Sequence, residues 1–294
     1  MNSPEISVLM PAYNAGSFVT DAIYSVLRQS HSDFELVVLN DGSVDNTAEV
    51  VRRIGDSRIR FVDNDRNQGL VGVRNELLSL ARGEYIAWLD ADDLATADRL
   101  QKQVTLLKKH RDMVLVGGYV QPFSDDSSRK YKLWKYPVHS DELKSRMIFD
   151  DPIATSATMI RRDVVLRERL EFRPGYRTGE DYDFWERLSH FGAMASVPEV
   201  LAYYRIHQYQ TSFSASEAER NAVLKIQGRQ LDRLGVEPTP DERQLHLRLG
   251  VADKFEPEEL PIVESWLRDL IAANEERGIY DRVIFPRVTG HIWY

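Results

Sequence analysis

The chain has 294 residues, 43% of them hydrophobic and 29% charged, which suits one large domain or a domain with a smaller appendage and excludes wholesale disorder. A formal net charge of −8 argues against general affinity for nucleic acid, and the absence of cysteine excludes disulfides and thiolate metal sites and fits a reducing cytoplasm. No signal peptide precedes Ile6 and no apolar run is long enough to span a bilayer, which leaves only peripheral membrane contact open.

The first half alternates between two periods. Glu5 to Met10 reads as a buried strand ended by Pro11, and a helix near Gly16 buries Phe18, Val19, Ala22, Ile23, Val26 and Leu27. Phe34 to Leu39 is a second strand, followed by a helix from Asp45 or Asn46. Arg58 to Val62 is a third, followed by a helix carrying Val73, Leu77, Leu78 and Leu80. Glu84 to Leu89 is the fourth; the helix after it starts near Ala97 and faces Leu100, Val104 and Leu107 inward. Met113 to Val116 makes a fifth strand. Strands alternating with amphipathic helices predict an α/β fold, with a Rossmann-like, mostly parallel central sheet flanked by helices.

Beyond this the pattern loosens. Asp125 to Ser128 reads as an exposed turn or hairpin tip, and Ser156–Ile160 and Val200–Ile206 as strands added antiparallel at the sheet edge. From Ser214 the pattern is helical, marked by Val223, Ile226 and Leu231 and by Ile262, Val263, Leu267, Leu270 and Ile271, with Pro238 and Pro240 as a break. The division expected is an α/β unit over 1–214 and a helical C-terminal region over 215–294.

Polar clusters fall at the strand ends, where open α/β sheets place ligands. Asp90-Ala91-Asp92-Asp93 follows the apolar run Tyr85–Leu89. Asp90 and Asp92 alternate and could share a face, one toward sugar hydroxyls, the other toward a hard divalent cation bridging phosphates. Such acids also serve as caps or solvated turns. Tyr13, in Pro11-Ala12-Tyr13-Asn14, can stack on a flat base or simply mark a helix entrance. Asp41, beside Gly42, can accept from a ribose hydroxyl or base N–H. Arg74 could reach a phosphate or stand as a surface arginine. Glu180 and Asp181 open the Phe184-Trp185-Leu188 helix, either complementing its dipole or taking a proton from an attacking hydroxyl. His207 could be a metal ligand, a diphosphate contact or a satisfied polar residue. Neither a Gly-x-Gly-x-x-Gly fingerprint nor a Gly-Lys-Ser/Thr phosphate loop is present, which disfavours dinucleotide dehydrogenases and P-loop ATPases.

In number and order, these segments resemble the inverting family 2 glycosyltransferases of the GT-A fold: Val8–Asn14, Asn40–Thr47, Asn67–Leu70, Arg74-Asn75, Asp90–Asp93, Gly179–Asp181 and Tyr204–His207. The resemblance covers roughly the first 210 residues. It implies that Tyr13 and Asp41 hold the nucleobase with help from the Pro11 backbone, and that Arg74 also belongs to the donor site. Asp90 would contact the ribose or donor sugar, and Asp92, with His207, the metal (Mn2+ or Mg2+). Arg205 and His207 would lie near the diphosphate, Asp181 would be the catalytic base, and Glu180 would sit in the acceptor or donor pocket. The implied substrates are a nucleotide sugar, with uridine favoured, and a glycan or lipid-linked acceptor. The absent Gln-x-x-Arg-Trp signature of processive relatives favours transfer of one sugar. A nucleotidylyltransferase and a non-catalytic nucleotide-sugar-binding module are the competing readings.

Overall fold

A computed structural model describes residues 3–126, 128–176, 178–208, 216–251 and 253–293. Four strands, β1 (Ile6–Ala12), β2 (Phe34–Asp41), β3 (Ile59–Asn64) and β4 (Tyr85–Trp88), alternate with α1 (Val19–Leu27), α2 (Thr47–Arg52) and α3 (Leu70–Leu80). All four strands run parallel, in the order β3-β2-β1-β4. β1 and β2 are buried along their whole length, as continuous apolar runs covered on both faces must be.

The remaining strands complete a mixed sheet ordered β3-β2-β1-β4-β7-β6-β8-β5. They are β5 (Leu94–Ala95), β6 (Met113–Phe123), β7 (Met159–Arg161) and β8 (Ala193–Arg205), with α4 (Arg99–Lys109), α5 (Ser140–Arg146), α6 (Arg162–Arg167) and α7 (Glu180–Leu188) between them. Two expectations need correction here. β7 is antiparallel, but it lies inside the sheet between β4 and β6, and β8 runs parallel to β6; the edge on this side is the two-residue β5. Ser156 belongs to a single 3₁₀ turn over Thr155–Ala157, since its chain bends to enter β7.

One apolar layer fills each face of the sheet: α1 and α4 cover one, while α3 and α7 cover the other with Trp88, Phe172, Phe184 and Trp185, all fully buried. The tail forms α8 (Ser216–Leu234), α9 (Pro240–Gly250), α10 (Leu260–Arg277) and α11 (Ile284–Trp293). The expected boundary at 214/215 and the polar run Tyr209–Ser212 lie outside the described residues.

The tail is docked. Leu231, Leu245, Trp266, Leu270 and Phe285 bury Ile148 and Phe149 of the first unit. Gln227 and Gln230 donate to the carbonyls of Phe149 and Met147, both at 2.6 Å. Gly250, last in α9, meets the Phe149 backbone so closely that a Cβ would collide with that carbonyl oxygen. The buried Asp183 binds α7 to α8 by accepting from Arg229 at 2.7 Å, while also meeting Arg187 and Tyr176 at 2.9 Å.

Candidate active site

The carboxyl ends of β1, β2 and β4 open into a cavity of about 1250 Å³. Its floor is made by two interlaced turns. Asn14, at φ 49°, donates its N–H to Ser43 Oγ at 2.8 Å and accepts from the Val44 N–H at 3.0 Å. Ala15 donates to Thr47 Oγ1 at 2.8 Å. These bonds leave Tyr13 half exposed in the cavity wall. Asp41 lies beneath, nearly buried, its oxygens accepting from the N–H groups of Gln68 at 2.8 Å and Gly69 at 3.0 Å, ahead of α3. Gly42, at φ 63°, is required, because a Cβ there would sit 2.5 Å from the Arg66 backbone.

β4 delivers the acidic cluster. A backbone bond from Asp93 to Asp90 at 3.2 Å closes the turn, and Arg99 ties the Trp88 carbonyl at 2.7 Å to that of Thr158 at 2.9 Å. Asp90 faces the cavity, and Ser156 Oγ donates to its carboxylate at 3.2 Å. Burial raises the Asp90 pKa, and Asp92 and Asp181 add to the shift against the pull of Arg74. Asp92 points its Oδ2 at His207 Nε2, 2.9 Å away, while the His207 ring packs on Phe18 with centroids 4.5 Å apart.

Arg74 is the hub. Its guanidinium is buried over Phe172 at 5.4 Å and Trp88 at 5.8 Å. Nη1 lies 2.8 Å from Glu180 Oε1 and 4.0 Å from Asp181 Oδ2, and Nη2 lies 3.7 Å from Asp90. Nη1 is close to Glu180 without the alignment of a hydrogen bond, so it remains an unsatisfied donor at the cavity wall. Burial opposes its charge, but the three carboxylates outweigh that and raise its pKa. Burial likewise raises Glu180 to about 7, against the pull of Arg74.

Asp181, one residue into α7, keeps a partly exposed carboxylate in the cavity. Thr155 Oγ1 donates to it at 2.9 Å, and the Tyr182 N–H does so at 2.9 Å. The aromatic stack of Phe172 on Phe184, 4.4 Å apart, underlies this turn.

The cavity thus gathers Pro11, Tyr13, Asp41, Arg74, Asp90, Asp92, Glu180, Asp181 and His207 in its lining. Arg205 is not brought there. It packs between Phe123 and Phe18 at 4.7 and 5.2 Å, pairs with Asp125 and Asp21, and donates from Nε to the Asp92 carbonyl at 3.0 Å. Its place is behind the acidic turn, as a brace. Sequence reasoning missed Asp150 and Asp151, which also line the cavity, and the Thr155 and Ser156 hydroxyls. Burial, with Asp181 and Asp150 nearby, pushes Asp151 well above the usual carboxylate range. Two tail segments close the same cavity: Glu219 and Val223 on α8, and Gly250 and Val251 at the end of α9.

The arrangement can hold a flat base, a diphosphate and an attacking hydroxyl in one cavity. Among the described residues, no group of three or more His, Cys, Asp or Glu could hold a metal ion alone. Of the Asp92–His207 pair, the carboxylate suits a hard cation that takes one or two protein carboxylates and completes its shell with phosphate oxygens and water, while the imidazole beside it is a nitrogen donor that suits a softer cation better.

The family profile described as Glycosyl transferase family 2 matches residues 7–170. An uncharacterised glycosyltransferase of Haemophilus influenzae is 32% identical over 234 residues, covering 76% of this chain and 72% of that protein. Among solved structures, S. aureus TarS 1–349 in complex with UDP superposes with a TM-score of 0.62 at 19% identity, covering 98% of this chain and 87% of that one. The mannosyltransferase PcManGT of Pyrobaculum calidifontis, in complex with GDP-Man and Mn2+, gives 0.61 at 15% identity, over 99% and 86%. At these identities the two structures speak for the fold alone, a GT-A-like one. The profile match over more than half of the sequence and the Haemophilus relative carry the family: the chain belongs to glycosyl transferase family 2 and is a glycosyltransferase.

Proposed function

We propose that the protein moves one sugar from a nucleoside diphosphate donor, with uridine as the base, to a hydroxyl of a glycan or lipid-linked acceptor, inverting the anomeric carbon. The observation that carries this reading is the convergence of Tyr13 and Asp41, Asp92 and His207, and Asp181 on one cavity. A non-catalytic binding module would not need a held, solvent-reaching carboxylate opposite the donor groups. TarS in complex with UDP supports uridine, and PcManGT with GDP-Man and Mn2+ supports the metal while keeping guanosine in contention. The matching location is the cytoplasm, at the inner face of a membrane if the acceptor is lipid-linked.

Each step falls to named groups. Tyr13 stacks on the base, and Asp41 accepts from it with a carboxylate already fixed by two backbone N–H groups. Arg74 faces the negative charge that gathers at the sugar-diphosphate junction, and Glu180 holds Arg74. Asp92 and His207 would hold a divalent cation, which when bound neutralises charge on the leaving diphosphate. Asp181 takes the acceptor proton, with Thr155 and the Tyr182 N–H fixing the carboxylate. Asp183 is disqualified as that base, because it is fully buried among Arg187, Arg229 and Tyr176.

The test is Asp181→Asn, which keeps the shape and removes the proton acceptor. Acceptor-dependent transfer should fall about 100- to 10,000-fold with donor affinity by calorimetry unchanged. Near-native transfer would move the base elsewhere, with Glu180 next in line.

A further inference from the structure

Residues 129–136 read Arg-Lys-Tyr-Lys-Leu-Trp-Lys-Tyr, and no acidic residue occurs between Asp126 and Asp141. On a chain of net charge −8, four cations in eight residues stand out. Arg129, Lys130, Lys132 and Lys135 are all exposed, and Trp134 leaves 39% of its surface in solvent. The segment is anchored. Trp134 and Val120 of β6 exchange backbone hydrogen bonds at 3.1 and 2.9 Å, and Gln121 Nε2 donates to the Tyr131 carbonyl at 3.2 Å. Arg129 meets Asp126 at 3.3 Å, but among the described residues Lys130, Lys132 and Lys135 enter no ion pair. The strip also borders the catalytic cavity: the Trp134 ring lies 5.0 Å from that of Tyr204, which lines it.

We propose that this basic-aromatic strip is a docking surface for an anionic lipid bilayer, setting the cavity rim against the membrane. Three unpaired lysines supply attraction to anionic headgroups, and a half-exposed tryptophan has the amphipathic ring that settles at headgroup depth. A polyanion long enough to continue past its amino end would meet Asp125 and Asp126 and the acidic remainder of the chain. Docking is a binding event separate from sugar transfer, so its test does not depend on the reaction assigned above.

The experiment is co-sedimentation of the full chain with vesicles of phosphatidylcholine alone and of phosphatidylcholine mixed with phosphatidylglycerol. Binding is expected only to the mixed vesicles, and it should weaken as salt rises. Each cation near such a surface contributes about fivefold to partitioning, so the triple variant Lys130→Gln, Lys132→Gln, Lys135→Gln should lose about 100-fold. Trp134→Ala should lower partitioning while keeping the salt dependence. The proposal is overturned if the native protein stays in the supernatant at low salt, or if the triple variant sediments like the native chain. Tighter binding to a short DNA duplex than to the mixed vesicles, lost in the same triple variant, would overturn it as well.

Discussion

Asp92 does two separable things. Its backbone carbonyl accepts from Arg205, which steadies the turn, while its carboxylate faces His207 in the cavity. Replacing it with alanine therefore removes the carboxylate proposed to bind the cation and leaves the brace. Asp92→Ala is expected to lower metal-stimulated donor turnover on the order of 100-fold, because several kcal/mol of charge stabilisation depend on the cation. A metal titration of turnover beside circular dichroism checks this: native-like turnover at every metal concentration would remove Asp92 from the cation site. The residues legible in the sequence were those released at the ends of buried strands, Asp41, Asp90 and Asp92, or at a helix start, Asp181. There an apolar run pointed to the crevice. Asp150 and Asp151 were not legible, because they sit between α5 and a 3₁₀ turn with no periodic run to place them. Arg205 was legible as important but not in its orientation, which is decided by Phe18 and Phe123 from distant parts of the chain.

At the scale of elements, α7 carries Asp181 and α8 holds α7. The clamp is Arg229 on Asp183, a fully buried carboxylate that keeps Arg187 as its second cation. Arg229→Ala should cost about 2 kcal/mol, since it leaves Asp183 partly uncompensated while Arg187 softens the loss. Urea unfolding reads that cost, and transfer kinetics should show kcat falling more than donor affinity, because Tyr13 and Asp41, proposed to hold the base, lie on other elements and α7 reaches the donor side only through Glu180 and Arg74. Unchanged stability and kcat would show that Arg187 and Arg173, which lies 3.7 Å from the same carboxylate, suffice. Periodicity gave the parallel half of the sheet, the docked faces of α1, α3 and α4, and the helical tail. It could not give strand order, so β7 was legible as a strand and not as an insertion between β4 and β6. Short α5 and α6 passed unnoticed because neither spans two turns of apolar repeat.

Across the whole molecule, the seam between tail and catalytic unit is tied to pH by His246. Its ring is fully buried, with Nε2 donating to the Ile148 carbonyl at 2.8 Å and Nδ1 accepting from Trp266 at 3.1 Å. A second proton on Nδ1 would face the Trp266 N–H that now donates to it, and burial lowers the ring's pKa from 6.5 to about 4. The unfolded chain therefore takes up the proton first as pH falls. Stability from this group is intact above pH 6.5 and declines to about pH 4, a loss of about 3 kcal/mol. Denaturant midpoints across that interval should fall less steeply in His246→Gln than in the native chain; parallel curves would mean that the ring does not set the acid limit.

The joint at Gly250 reaches further than packing. Because α9 rests there on the Phe149 backbone with no side chain between, the separation of the two walls is set by the thickness of two polypeptide backbones. Both Phe149 and Val251 face the cavity, so any larger residue at 250 would act as a shim, prising the tail wall outward and widening the opening. The width of the cavity on its tail side is in this sense gauged by a single missing methyl group, at a position that touches none of the polar residues proposed for the reaction.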